Sequence, residues 1–186
     1  LGYTRKFRKP GHEIILLAQT SPFSDRSDYM TVQSDNNRVI YREKNDNAGD
    51  NGELTLQADH TYPFGSGKKF VLDGGVKMIR RDALSEYNVY TGIEDLSLNP
   101  ERSDEFKYRQ IVKAAYMQLK VNMKNNWSGQ AGLRLENTYM KGKFLNSHTD
   151  FSSSFNNFVP SATVTKRIND THSLELAYTR RLTRPY

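Results

Sequence analysis

Apolar and polar residues alternate with a period of two along several stretches of this chain. In the clearest stretch one side carries Trp127, Gly129, Ala131, Leu133, Leu135 and Tyr139, and the other carries Ser128, Gln130, Arg134, Glu136 and Thr138. Successive side chains of a β-strand point to opposite faces, so a period of two predicts strands.

Further segments follow the same rule around residues 53–62, 70–78 and 172–182, although Arg180 interrupts the last one. Segment 158–168 follows it more weakly. Segment 105–122 is apolar on both faces near Ile111–Tyr116, which predicts a strand with a β-bulge. With strands on both sides of residues 9–11, the pattern predicts an all-β fold of about eight antiparallel strands.

The connections between these segments alternate in length. Short turns are predicted at 9–11, 65–67, 124–126 and 169–171, where Gly, Asn, Asp and Pro are frequent, and long loops at 23–52, 83–104 and 141–157. An up-and-down meander places all the short turns on one rim and all the long loops on the other. Residues 29–42 are expected to form an extra hairpin within the first long loop.

Strand length and composition favour a membrane barrel. The segments run ~11 to 15 residues, whereas soluble strands most often have ~5 to 6. Only 36% of the residues are hydrophobic, and the longest apolar run, Ile14–Ala18, is far too short for a transmembrane helix. Aromatic residues predict two girdles, with Tyr62, Phe64, Phe70 and Trp127 toward the short turns and Phe106, Tyr108, Tyr139, Phe144 and Phe158 toward the long loops.

Catalytic and metal-binding signals are absent from the sequence. The chain has no cysteine, and its four histidines are far apart in sequence. The acidic stretch 46–53 lacks the ligand spacing of a calcium loop. Its net charge of +6 arises from cations scattered among anions, which argues against nucleic acid as a partner. We expect no enzyme activity, no cofactor and no metal.

Charged residues on the polar sides of the strands are the candidate functional residues, because charge facing lipid is costly. The expected lumen-facing set is Glu53, Asp59, Asp73, Lys77, Arg134, Glu136, Glu175 and Arg181. The arginines of the cluster Arg180, Arg181, Arg184 and Pro185 are expected to pair with Glu136 or Glu175. The alternative is that it meets a plug or an anionic ligand.

Several strings, taken in order, resemble one known family. They are Gln57–Phe64, Phe106–Tyr108, Ala114–Tyr116, Ala131–Thr138, Phe158–Ser161 and Leu176–Pro185. Their order and spacing are similar to the outer-membrane β-barrel family of the TonB-dependent receptor type, as found in Bacteroidetes-like bacteria. The resemblance covers about residues 52–186 well and the first 50 residues weakly.

This resemblance implies an outer-membrane receptor that takes up a solute with energy from a TonB-type protein, through a plugged barrel of about 22 strands. Residues 1–186 are then expected to be one barrel segment, with the plug domain and the remaining strands outside it. Expected partners are outer-membrane lipid, the plug, the TonB-type protein and a small solute or glycan. The alternatives are a small self-closed eight-stranded barrel and a β-rich binding module of the adhesin or lectin kind, soluble or on the cell surface.

Overall fold

All regular strands among residues 1–181 belong to one antiparallel sheet. The computed structural model describes residues 1–181, with Lys68 through its backbone alone. A short 3-10 turn lies at Ser66–Lys68, and the strands are β1 Gly2–Lys6, β2 Glu13–Asp35, β3 Arg38–Phe64, β4 Phe70–Gly92, β5 Ser97–Leu98, β6 Asp104–Asn122, β7 Trp127–Phe144, β8 Asp150–Arg167 and β9 Ser173–Thr179. No helix in the described part is long and apolar enough to cross a membrane.

The strands follow one another as a meander in the order β1-β2-β3-β4-β6-β7-β8-β9, and the two-residue β5 pairs with β4. The prediction of about eight antiparallel up-and-down strands is thus confirmed. Connections 7–12, 65–69, 123–126 and 168–172 lie at one end of the sheet, which we call the turn end. Connections 36–37, 93–103 and 145–149 lie at the other, the hairpin end.

The predicted long loops are wrong, and the long strands exceed the predicted ~11 to 15 residues, because most of each loop is a continuation of the sheet. Strands β2, β3 and β4 have 23, 27 and 23 residues. The expected extra hairpin at 29–42 is confirmed as the tip of the β2–β3 hairpin. Polar sequence concealed these extensions, since backbone hydrogen bonds form whatever the side chain and no apolar face is needed outside lipid.

Asparagine forms two of the tight turns. Asn36 and Asn37 join β2 to β3, and Asn125 and Asn126 lie between β6 and β7, all four with positive φ between 46° and 63°. Two-residue hairpin turns of the I′ type require this left-handed conformation, which Asn adopts more readily than other non-glycine residues.

Alternation divides the side chains between two faces in every long strand. One row across the sheet contains Leu16, Ala58, Val76, Ala115, Leu135 and Phe158, and the next contains Leu17, Gln57, Lys77, Ala114, Glu136 and Asn157. We call the first the apolar face and the second the polar face. Most buried residues lie on the polar face, including Thr55, Gln110, Val112, Glu136 and Thr138, whereas Leu135, Leu174 and Leu176 on the apolar face are exposed. The side chains therefore crowd together on the polar face.

Strand β6 shows two differences from the sequence-based expectations. It pairs with β4 and β7 without a shift in register, so the predicted bulge is wrong. The apolar residues that β6 places on the polar face, such as Val112, are instead buried among the neighbouring side chains of that face. Phe106 and Tyr108, together with Phe144 of β7, also belong to the polar face and not to an outer girdle.

The sheet is open. Among residues 1–181, β1 pairs with β2 alone and β9 with β8 alone, so the first and last strands do not close a small barrel. The upper part of β2, beyond Ala18, therefore has one edge without a strand partner.

Candidate functional site: the polar face of the sheet

Seven of the eight expected lumen-facing residues share the polar face: Glu53, Asp59, Asp73, Lys77, Arg134, Glu136 and Glu175. Arg181 follows the end of β9, where no strand pairing fixes its direction. Arg184 and Pro185 lie outside the described residues. The polar face thus presents both signs of charge over most of its width.

Asp59, Gly75 and Tyr116 occupy one row at the centre of this face. The Tyr116 hydroxyl donates a hydrogen bond to the Asp59 carboxylate across Gly75, and Gln57 Nε2 donates to the same carboxylate at 2.7 Å. A Cβ built on Gly75 would lie 2.5 Å from Asp59 Oδ1 and 2.7 Å from the Tyr116 hydroxyl. Glycine therefore permits two side chains from separate strands to meet above it.

Arg134 and Glu136 form an ion pair along β7. The Arg134 guanidinium donates to Glu136 Oε2 through Nε at 3.0 Å and Nη2 at 2.8 Å. The guanidinium carbon also lies 5.8 Å from the centre of the Tyr116 ring, within cation–π range. Glu136 is almost fully buried, so its charge requires this partner.

Two further groups extend the network toward both ends of the sheet. Arg81 donates to Glu53 at 2.6 Å and to Gln110 at 3.0 Å on the hairpin side. On the turn side, Asp73 pairs with Lys120 at 2.7 Å and accepts a hydrogen bond from Thr61. The polar face consequently carries a ladder of paired charges, and the Arg81–Glu53 and Lys120–Asp73 pairs link neighbouring strands.

A separate cluster lies on the polar face near the hairpin end. Arg102 binds the Glu43 carboxylate with two nitrogens at 2.6 and 3.0 Å, and Tyr41 and Asn45 also donate to it. These donors lower the pKa of Glu43 to about 2, with the hydrogen bonds from Arg102 as the largest cause. The same carboxylate raises the pKa of Arg102.

This cluster fastens the connection before β6 onto the sheet. The Val89 amide donates to the Ser103 hydroxyl at 2.9 Å, and the Asn99 amide donates to the Val89 carbonyl at 2.7 Å. Val89 and Asn45 are fully buried beneath it. Segment 99–103 is therefore folded down on the polar face, where it narrows the space in front of the sheet.

The histidines are less scattered than their sequence positions suggest. His12 and His60 approach to 3.0 Å between their Nε2 atoms, because pairing of β2 with β3 brings residues far apart in sequence together. They stand on the apolar face in a group of rings with Phe7, Tyr62 and Phe64. Residues 1–181 hold no group of three or more His, Cys, Asp or Glu side chains able to bind a metal ion.

Sequence reasoning missed the cluster around Glu43 and Arg102. Both residues fall in stretches expected to be loops, and 59 positions separate them. The available signal was the alternation of Val39 and Tyr41 with Arg38 and Arg42 in the expected hairpin at 29–42, which ends one residue before Glu43. Nothing in the sequence indicates that Arg102 returns to that hairpin.

A meander with one continuous apolar face and one charged face is the wall of a membrane β-barrel. Residues 5–186 match the outer membrane protein beta-barrel family, and the chain belongs to this family. Its location is accordingly the outer membrane. No curated protein gave a significant sequence match.

Solved receptor structures contain a similar sheet. The ferric-catecholate import receptor Fiu from E. coli K12, in its open form, superposes with a TM-score of 0.67 at 12% identity over 96% of this chain and 34% of Fiu. The siderophore receptor PiuA from Acinetobacter baumannii gives 0.60 at 16% identity over 92% and 30% of the two chains. The ferric citrate transporter FecA gives 0.55 at 13% identity over 91% and 24%.

These likenesses establish the fold, and the chain spans about a quarter to a third of each of these receptors. The expectation of an outer-membrane β-barrel wall is confirmed by the family match, and its fold is similar to part of these receptor barrels.

Proposed function

We propose that this chain is part of the barrel wall of an outer-membrane receptor that imports a solute with energy from a TonB-type protein. The observation that carries the proposal is the division of one long meander into an apolar face and a face of paired charges. Outer-membrane barrels need both, since the outside meets lipid and the interior is polar. The role includes no step that makes or breaks a covalent bond.

In this proposal the polar face lines the lumen and meets a plug domain. The Asp59–Tyr116 contact joins β3 to β6, and the Arg134–Glu136 pair neutralises two charges of β7. Lys77 has no ion-pair partner among the described residues and is available to a plug. Side chains already paired within the wall do not have to be desolvated separately when a plug docks.

The open sheet supports a larger barrel. In lipid each unsatisfied backbone N–H or C=O costs several kcal/mol, so the free edges of β1 and β9 must pair with further strands. We infer that the plug and the remaining strands belong to the same receptor. The small self-closed barrel would instead require β1 to pair with β9.

The hairpin end is proposed to face the outside and to capture the solute. Segment 99–103, held by Glu43 and Arg102, narrows the approach to the polar face. Ferric siderophores are the first solutes to test, because PiuA and Fiu are named as siderophore and ferric-catecholate receptors.

Cysteine labelling tests the assignment of the two faces, and residues 1–186 contribute no cysteine of their own. Single variants Leu133→Cys and Leu135→Cys should react with a lipid-soluble maleimide, while Gln130→Cys and Lys77→Cys should react with a small water-soluble one. The labelling uses the full-length protein in outer membranes. Equal reaction of both sets with the water-soluble reagent would point to a β-rich module surrounded by water.

An uptake experiment tests the transport role separately. Deleting the gene should abolish growth on the cognate ferric siderophore as sole iron source, and deleting the TonB-type protein should do the same. A deletion strain that takes up every siderophore normally would remove this solute class. Uptake by the receptor without any TonB-type protein would contradict the proposed energy source.

A further inference from the structure

Two histidine rings face each other at the turn end of the apolar face. The Nε2 atoms of His12 and His60 lie 3.0 Å apart, and the two ring centres lie 5.1 Å apart. His12 ends the connection before β2, while His60 belongs to β3, where it pairs with Ile14. The two rings therefore meet diagonally across one pair of strands, and each points its outer nitrogen at the other.

Aromatic packing and a tight turn hold the His12 ring in this direction. The ring stacks on Phe7 with centres 4.0 Å apart and planes 14° from parallel, and it stands at 87° to the Tyr62 ring with centres 5.1 Å apart. The backbone is fixed as well, because the His12 amide donates to the Lys9 carbonyl and the His12 carbonyl accepts from the Phe7 amide. The ring is thus preorganised for a contact through Nε2, at a low cost in side-chain entropy.

One shared proton satisfies the contact between the two rings. A neutral imidazole carries one N–H and one lone pair, so one Nε2 donates and the other accepts. Neither ring forms another hydrogen bond or an ion pair with a residue in the range 1–181. The donating ring can carry its proton on Nδ1 instead, and both Nε2 lone pairs then point into the space between the rings.

The spacing of the two nitrogens matches that of two ligands on one metal ion. Zinc–histidine bonds are about 2.0 to 2.1 Å long, so two such ligands at a tetrahedral angle lie ~3.3 Å apart. At the right angle of a square-planar copper(II) site, bonds of the same length place the nitrogens ~2.9 Å apart. The observed separation of 3.0 Å lies between these two values. A metal ion can therefore replace the shared proton with little movement of either ring.

The surroundings of the pair select the class of metal ion. Two cations stand close by, since Lys9 lies 4.4 Å from the centre of the Tyr62 ring and Arg5 lies 5.3 Å from that of Phe7. Among residues 1–181, no Asp or Glu joins the two histidines in a three-residue metal cluster. Magnesium and calcium need several oxygen ligands, which this pair does not offer. Imidazole nitrogen instead suits nickel, zinc and copper, of which copper(II) binds most tightly.

We propose that His12 and His60 form a two-histidine site for a divalent transition metal ion, with copper(II) as the ion bound most tightly. The two Nε2 atoms occupy two coordination positions and water takes the others, so the ion stays exchangeable. A bound ion joins connection 7–12 to β3 at the turn end, on the face opposite to the polar face. The proposal therefore depends neither on the transported solute nor on the proposed energy source.

His172 offers a matched control at the same end of the sheet. It lies in connection 168–172, and its Nδ1 contacts the Thr171 hydroxyl at 2.8 Å and the Asn169 side chain at 3.0 Å. Within the part of the chain that the structure describes, it forms no contact with a second histidine. H172N therefore removes one imidazole from the turn end and leaves the His12–His60 pair unchanged.

The test titrates copper(II) at neutral pH into the full-length protein in detergent, without a polyhistidine tag or a chelating buffer, and follows binding by electron paramagnetic resonance. The unmodified protein should show a copper(II) signal split by two imidazole nitrogens, above the background that H12N/H60N defines. Because two linked ligands bind far more tightly than one, H12N and H60N should each weaken binding at this site about 100-fold. H172N should change it less than about twofold.

Hydrogen exchange gives a second readout, since a bound ion ties connection 7–12 to β3. Zinc should slow exchange at residues 7–12 in the unmodified protein and in H172N, but not in H60N. Heat-dependent gel mobility checks that each variant remains folded, and the count of nitrogens in the unmodified protein requires no variant.

Three results would overturn the proposal. The first is a copper(II) signal from the unmodified protein with at most one imidazole nitrogen. The second is equal copper binding by the unmodified protein and H12N/H60N. The third is a loss of binding in H172N as large as that in H12N, which would show a response to the number of histidines alone.

Discussion

Leu133 is the position where an introduced charge best tests the membrane-wall interpretation. It lies on β7 between Trp127 toward the turn end and Tyr139 toward the hairpin end, all on the apolar face. Each aromatic is about six residues away, or ~20 Å along the strand at ~3.3 Å per residue. Leu133 is therefore expected at the midplane of the apolar band.

The expected loss in the free energy of unfolding follows from the depth of Leu133 in the membrane. With strands tilted by about 45°, ~20 Å along the strand corresponds to ~14 Å along the membrane normal, close to half of an apolar band about 25 Å tall. Arginine facing lipid at the midplane costs about 2 to 4 kcal/mol, and this falls to about 0 to 1 kcal/mol near the interfaces. Leu133→Arg should therefore lower the free energy of unfolding by about 2 to 4 kcal/mol.

The measurement is denaturant unfolding of the full-length protein in lipid vesicles, followed by loss of heat-dependent gel mobility. Gln130→Arg is the control on the polar face of the same strand, and it should change stability by less than about 1 kcal/mol. Tyr139→Arg provides a second control near the interface.

An equal and small effect of Leu133→Arg and Gln130→Arg would refute the reasoning. In a β-rich module surrounded by water, an exposed leucine can be replaced by arginine at little cost. A large loss from Gln130→Arg with little loss from Leu133→Arg would mean that the two faces have been assigned the wrong way round.

Three more outcomes follow from the polar face and the sheet edges. Gly75→Ala should lower stability by about 1 to 3 kcal/mol in denaturant unfolding, because the added methyl group forces Asp59 and Tyr116 apart; no change would contradict the close approach. The Glu43–Arg102 contact should be complete above the ordinary carboxyl pKa of 4.5 and lost as pH falls toward about 2, so hydrogen exchange at residues 97–103, corrected for intrinsic rates, should rise over that range. Glu43→Gln should show the raised exchange already at pH 7, and protection equal to that of the unmodified protein would disprove the anchoring role. Residues 1–186 expressed alone should form oligomers in detergent and fail to transport solute in vesicles, since β1 and β9 have free edges; a stable monomer with β1 paired to β9 would promote the small closed barrel.

Period-two alternation predicted the order of the strands and their faces because lipid and water impose different demands on neighbouring residues. Leu133 and Arg134 are assigned to opposite sides from this contrast alone, and their places in the sheet agree. Where both faces meet water the contrast disappears. The sequence of residues 23–52 accordingly predicts a loop, although these residues form one long hairpin in the structure.

Contacts between distant strands had no comparable signal. Asp59 and Tyr116 are 57 positions apart, and only the combined registers of β3, β4 and β6 bring them over Gly75. A shift of one residue in either pairing would send one of them to the opposite face. Residue types could suggest that Asp59 lies on the polar side, but the choice of Tyr116 as its partner required the register.

The length of β3 determines how far the tip of the β2–β3 hairpin projects from the membrane. Residues 38–53 continue past the membrane-spanning part, which at ~3.3 Å per residue and a tilt of about 45° places the Asn36–Asn37 tip ~35 to 40 Å above the bilayer. This height is several times the Debye length of ~8 Å, beyond which salt at physiological concentration screens the interaction between charges. In the orientation proposed above, Asp35 and Arg38 at the tip are electrostatically independent of the lipid below, and the tip is a surface that an antibody, a phage or a neighbouring cell can reach.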